Sequence, residues 1–335
     1  MYIFKDEKFN RRQKLNEILL RLLGLWPYEK TKCERFRAMC CFVILISHII
    51  TELAQLIIVD FNANVITRIL SDTLPTTLCF INFNMIFFGT KELKQLLEEV
   101  INTRQMLTDA QEIKILEYYA HQAEKFPIII IPLQAFTILS LLIMELLPDI
   151  LDFLRPLNES RAHYLIVMNE YDINEGIQFY SFLLYTISGI IIGTSTIIFV
   201  ISTILSICLH CCALYKICSY RIKQFVDKEI IASFNKRNII VERIIRIVEL
   251  HIKAKKLSKM IVTSFTISYL SMLVIGMCGF AMRLYRLLYI ITYTHDSVEL
   301  LIEAAYVIGC EFTLLTISFI GQLMINHSDE IFNTL

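Results

Sequence analysis

Residues 177–209 read IQFYSFLLYTISGIIIGTSTIIFVISTILSICL, thirty-three positions without one charged side chain. A helix needs about 20 such residues to cross ~30 Å of hydrocarbon. This block is long enough to span a bilayer at a tilt, or to span it and continue beyond. Five further apolar blocks surround it, at 38–59, 65–89, 127–147, 260–282 and 298–325. The whole chain of 335 residues is 56% hydrophobic and 19% charged, with a mean hydropathy of +0.57. An ordinary soluble domain carries about 25% charged residues. A soluble chain of this size has nowhere to bury so much apolar surface. The expected fold class is therefore all-α, a polytopic membrane bundle of six transmembrane helices. It has a charged segment at 1–36, the membrane domain at 37–325 and a short tail at 326–335.

Charge placement orients the bundle. Lysine and arginine together equal aspartate and glutamate at 32 each, so the total implies no nucleic-acid partner. The arrangement carries the information. Segments 1–37, 91–125 and 210–259 hold ten, five and twelve basic residues, whereas 148–176 and 283–297 hold two each. Positive charge gathers on the cytosolic side, which predicts both ends of the given sequence in the cytosol. The first 36 residues are too charged for a cleaved signal peptide. Asn158-Glu159-Ser160 is a glycosylation sequon on the predicted outer side, while Asn326-His327-Ser328 is predicted cytosolic and unmodified. None of the ten cysteines falls in a predicted outer loop, so no outer disulfide is expected.

The cytosolic segments have helical periodicity of their own. Leu93, Leu96, Leu97, Val100 and Ile101, then Leu116 and Tyr119, recur every three or four residues, as do Ile240, Ile244, Ile247 and Leu250. These read as helical extensions of the spans. They dock on headgroups through their lysines or pack against a partner.

Catalytic and metal motifs are missing. Nine glycines form no phosphate-binding loop, and seven histidines fall in no zinc-hydrolase spacing. Cys208, His210, Cys211 and Cys212 crowd into five residues at a span boundary, unlike the two separated ligand pairs of a structural zinc site. They read as buried or lipidated thiols. No cofactor, no metal and no enzymatic activity are expected.

Charges inside spans are costly and are functional candidates by default. Arg68 and Asp72 stand four apart and are read as an intrahelical pair, and His48 with Glu52 allows the same reading. Glu303, near an outer helix end, is expected to reach water. Glu311, near mid-membrane, is expected to face protein or an aqueous cavity. Asn82 and Asn84 are expected to tie helices together. Phe136 and Leu139 in the third span, Phe179 and Phe182 in the fourth and Tyr306 in the sixth share a depth in the outer half. Such a lining suits a small apolar ligand, although packing and an interfacial aromatic belt produce the same pattern.

Three short stretches carry a family resemblance. Leu23-Gly24-Leu25-Trp26-Pro27, ahead of the first span, resembles the GLWP segment of insect odorant receptors. Val248-Glu249-Leu250-His251, with Arg243 upstream, resembles a cytosolic stretch of that family. Gly321-Gln322-Leu323 followed by Ser328-Asp329-Glu330 resembles its exit from the sixth helix. The resemblance implies an odorant-gated cation channel subunit with a cytosolic amino terminus. It implies a small volatile odorant in the outer half and a hetero-tetramer with a co-receptor subunit. It also implies residence in the plasma membrane of olfactory neuron dendrites. The family has a seventh, pore-lining helix, so the sequence ending at Leu335 is expected to stop short of it, as an incomplete gene model, a shortened isoform or a pseudogene product. A gustatory receptor of the same superfamily is the near alternative. A G-protein-coupled receptor requires the opposite orientation and an NPxxY motif, absent here. A transporter requires paired interrupted helices in two halves, and no such symmetry is visible.

Overall fold

The computed structural model describes residues 17–332, except 19, 29–30, 60–61, 156–160, 162–170, 172–175, 230–236 and 295–296. The sequon asparagine, Asn158, lies outside the described residues. Among the described residues the main helices are, in order, α1 (Lys32–Ile58), α2 (Ala63–Phe88), α3 (Thr90–Gln105), α4 (Ala110–Glu145), α5 (Leu147–Leu154), α6 (Gly176–Glu229), α7 (Arg237–Tyr289) and α8 (Ser297–Phe332). A π-helical turn, Ile290–Thr294, continues α7. No strand occurs among the described residues.

The Leu23–Pro27 motif has a mechanical reason. Gly24 ends a short helical segment with φ +72°, a region that only glycine enters without strain. Its N–H donates to Arg21 O at 3.2 Å, and Leu25 N–H donates to Leu20 O at 2.8 Å. This bond pair is a Schellman stop, completed by the buried side chains of Leu20 and Leu25. A Cβ on Gly24 would sit 2.2 Å from Glu34 O. The turn therefore lies directly on the first turn of α1. That helix starts with a capping box in which Thr31 Oγ1 accepts from Glu34 N–H and Glu34 Oε2 accepts from Thr31 N–H. Trp26 is buried beside this joint.

Helix α6 is the axis of the bundle. Its 54 residues extend about 80 Å at ~1.5 Å per residue, far more than a bilayer needs. Its apolar stretch is buried almost throughout, whereas α4 and α8 leave nearly all of theirs on the exterior. Helices α1, α2, α3, α4, α7 and α8 all pack on α6. Five helices are long and apolar enough to cross a membrane: α1, α4, α6, α7 with its π turn, and α8. Helix α2 has the length but carries Asp72, Pro75, two asparagines and several threonines. Thr67, Thr73, Thr76 and Thr77 donate back to their own helix carbonyls, which satisfies them inside the bundle. The molecule is an all-α polytopic bundle.

The densest packing lies at the end that holds α3. Leu93, Leu96, Leu97 and Val100 are buried there against α6 and α7. Cys208, Cys211, Cys212 and Cys218 are buried thiols in this core. The neighbouring imidazole of His210 meets Thr103 Oγ1 at 2.8 Å. No group of three metal-ligating side chains occurs among the described residues.

The opposite end differs from the sequence expectation. Arg283 and Arg286 fall in the segment 283–297, expected to lie between spans, yet α7 continues through both and buries them. Glu303 does not reach water: it bonds Arg283 at 3.0 Å and Arg286 at 2.8 Å. Asp72 pairs with Arg283 at 2.9 Å instead of forming the predicted bridge to Arg68. Glu311 is exposed on α8. Asn82 donates to Leu78 O within its own helix. The arginine and carboxylate pairings are set by partners distant in sequence, which local periodicity does not reveal.

Candidate functional site

A cavity of about 370 Å³ opens between α4 and the group α1, α2, α6, α8. Along the cavity, helix α4 lies against α6 and its backbone stays away from α1, α2 and α8, although Tyr119 at its other end reaches His327 of α8 at 3.1 Å. The space left by that stand-off is the cavity. Two other hollows along the bundle hold only about 20 Å³ each.

The α4 wall follows helical spacing: Ile130, Leu133, Gln134, Thr137, Ile138 and Leu141. The opposite wall of α6 is Gly189, Ile190, Gly193, Thr194 and Ile197. Its two glycines permit close helix approach. A Cβ on Gly189 would lie 2.5 Å from His48 Nε2, and one on Gly193 would lie 2.9 Å from Cys79 Sγ. Gln134 donates across the gap to Thr194 Oγ1. Tyr306, Gly309 and Phe312 of α8 close one side, and Leu45, Pro75 and Cys79 close another.

The polar part of the lining is organised in two groups. His48 Nδ1 and Thr76 Oγ1 lie 3.4 and 2.9 Å from Glu52 Oε1. Tyr185 stacks on the His48 ring at 4.8 Å. The second group centres on Arg283, whose guanidinium reaches Asp72, Glu303 and the carbonyl of Ser71. That carbonyl is available because Pro75, four residues on, has no N–H to donate to it. The same guanidinium lies over the Tyr306 ring at 3.9 Å. Arg286 extends the network to Glu299 and Ser71 Oγ.

Of the residues singled out from the sequence, His48, Glu52, Asp72 and Tyr306 line the cavity. Phe136 and Leu139 lie on α4 among its lining residues in sequence but point outward, 67% and 56% exposed. Phe179 is fully buried in a separate small cluster with Leu183, against which Phe182 packs. Arg68 and Glu311 are not in the lining. The lining residues that sequence reasoning missed had a signal. Gln134, Thr137 and Thr194 are polar positions inside apolar spans, and Gly189 and Gly193 stand one helical turn apart. Intramembrane polar and small residues mark the interior face of a helix.

No protein-family model and no curated protein matches the sequence. The fold does match solved structures. The insect olfactory receptor OR5 from Machilis hrabei superposes with a TM-score of 0.66 at 12% identity, covering 97% of this chain and 83% of that one. The same receptor in complex with eugenol superposes with a TM-score of 0.63 at 13% identity, over 94% of this chain and 80% of that one. At these identities the likeness establishes the fold: this chain has the helical membrane architecture of an insect olfactory receptor.

Proposed function

We propose that this chain is an odorant receptor subunit. It holds a small, largely apolar volatile molecule in the cavity between α4 and α6, and thereby biases a cation channel assembled with a co-receptor subunit. The observation that carries this reading is the cavity itself, about 370 Å³ and mostly apolar, within a chain of olfactory-receptor fold. The relative with that fold has been solved with eugenol. In this reading the α3 end faces the cytosol, where the basic segments gather, and the cavity sits in the outer half.

Binding energy comes mainly from burial. A ligand hiding about 250 Å² of apolar surface gains roughly 6 kcal/mol at ~25 cal/mol/Å², before the cost of association is subtracted. Such a site favours micromolar to millimolar ligands and broad tuning. Gating requires that the ligand bind the open state more tightly than the closed one. The wall free to supply that difference is α4, which rests on α6 alone along the cavity. Its distance from α1, α2 and α8 sets the cavity width.

The test is a dose–response series in cells that express this chain with a co-receptor. Tyr306→Ala and Ile138→Trp are expected to shift ligand potency at least about tenfold without loss of surface protein. Phe136→Ala, on the outer face of the same helix, is expected to leave it unchanged. Unaltered curves for both lining variants contradict the assignment.

A further inference from the structure

The exposed part of the cavity lining is confined to two helices. Leu133 and Thr137 of α4 and Gly309 and Phe312 of α8 line the cavity and are exposed. Leu133 and Phe312 are 57% and 52% exposed, so each belongs to the outer surface as well as to the wall. Elsewhere the lining is closed. Leu45, His48, Glu52 and Cys79, on the α1 and α2 flank, are buried. Arg283 and Glu303, whose ion pair closes the end near the π turn, are buried too. Toward α3 the bundle holds only isolated hollows of about 20 Å³.

The exposed residues of the two helices stand at one height. Helices α4 and α8 run in opposite directions and meet where Tyr119 Oη lies 3.1 Å from His327 Nε2. Thr137 follows Tyr119 by eighteen residues, and Gly309 precedes His327 by eighteen. At ~1.5 Å per residue each is ~27 Å from that joint. Between joint and mouth, α4 contains Pro127 and Pro132, each of which withholds a backbone donor and lets the helix bend. Thr137 is the middle of the apolar block 127–147, and Gly309 lies near the middle of 298–325. The mouth therefore opens sideways near the centre of the hydrocarbon layer. Its surroundings are apolar: Ile129 and Phe136 beside one rim, Ile308 and Leu315 beside the other, are all exposed.

We propose that this mouth is a lateral passage, through which ligands enter and leave the cavity from the hydrocarbon interior of the bilayer. This rests on the cavity being the ligand site. The route itself selects molecules that dissolve in hydrocarbon and excludes charged or strongly hydrated ones. Occupancy then follows the ligand's concentration in the membrane, not in water. A side chain on Gly309 would meet nothing within 4 Å, so the mouth can be narrowed without strain in the fold. A narrowed passage slows both entry and exit, whereas a narrowed pocket weakens binding by speeding release.

The experiment follows benzotrifluoride by fluorine NMR exchange in nanodiscs holding the full chain, against empty nanodiscs. Gly309→Trp on one rim and Leu133→Trp on the other are each expected to slow both association and dissociation at least about tenfold. A second arm needs no variant. A phosphatidylcholine whose acyl chain ends in a phenyl ring, confined to the membrane, is expected to displace benzotrifluoride from the unaltered chain where ordinary phosphatidylcholine does not. Exchange in both variants as fast as in the unaltered chain, or faster, overturns the inference. Failure of the phenyl lipid to displace the probe overturns it as well. Ile138→Trp judges the cavity separately: benzotrifluoride binding abolished there keeps the cavity as the site even where the passage fails. Saturable binding indifferent to Ile138→Trp, or no saturable binding at all, sinks both.

Discussion

At Pro75 the chain gives up one backbone donor, and Arg283 takes the carbonyl so released. This exchange places a guanidinium in the wall of the cavity with two carboxylates and an aromatic face around it. Removing the cation leaves Asp72 and Glu303 facing each other in a buried site. Arg283→Met is expected to destabilise the protein by about 3–5 kcal/mol, read as a lower melting temperature of the detergent-solubilised chain. Arg283→Lys is expected to recover only part of that, because a point charge cannot reach both carboxylates and the Ser71 carbonyl at once. Gly24 makes a second residue-scale prediction. Any side chain there meets both a positive φ and the Glu34 carbonyl. Gly24→Ala is expected to cost at least about 2 kcal/mol, and an unchanged melting temperature would refute the Schellman stop as the reason for the glycine.

Helices, the next scale up, were mostly legible and their rotations were not. The long uncharged run at 177–209 announces α6, and the aliphatic spacing of Leu93, Leu96, Leu97 and Val100 announces the buried face of α3. Blocks such as α4 and α8 are apolar on all sides, so hydropathy does not say which face turns inward. Phe136, one residue before the lining residue Thr137, is on the exposed face of α4. Arg283 and Arg286 read as loop residues because isolated arginines interrupt an apolar run. Only the carboxylates of α2 and α8, contributed from distant parts of the chain, let α7 continue through them. The same logic applies at the α3 end. Arg221 of α6 holds Glu112 of α4 by two bonds, at 2.6 and 2.8 Å. Glu112 is buried, whereas Arg221 is partly exposed. Glu112→Ala is expected to cost about 1–3 kcal/mol and to speed amide hydrogen exchange over residues 110–125. Unchanged exchange there would show that α4 is anchored by other contacts.

For the whole molecule, the side of the membrane on which the cavity opens follows from which end of the bundle faces the cytosol. Orientation has its own check. An epitope tag ahead of Met1 is expected to stain only after permeabilisation, and Asn158 is expected to be accessible to glycosylation. Staining of intact cells would invert the bundle and move the cavity to the cytosolic half. The ligand site is the central claim, and its most direct measurement is photolabelling. The full chain in membranes would be exposed to a diazirine analogue of benzyl alcohol, irradiated and mapped by peptide mass spectrometry, with and without excess unlabelled alcohol. The account predicts competable adducts on both walls of the gap, residues 130–141 of α4 and 189–198 of α6. Adducts confined to the outward residues such as Phe136 and Leu139, and insensitive to competitor, would show that the molecule dissolves in lipid around the bundle and that the cavity is not its site.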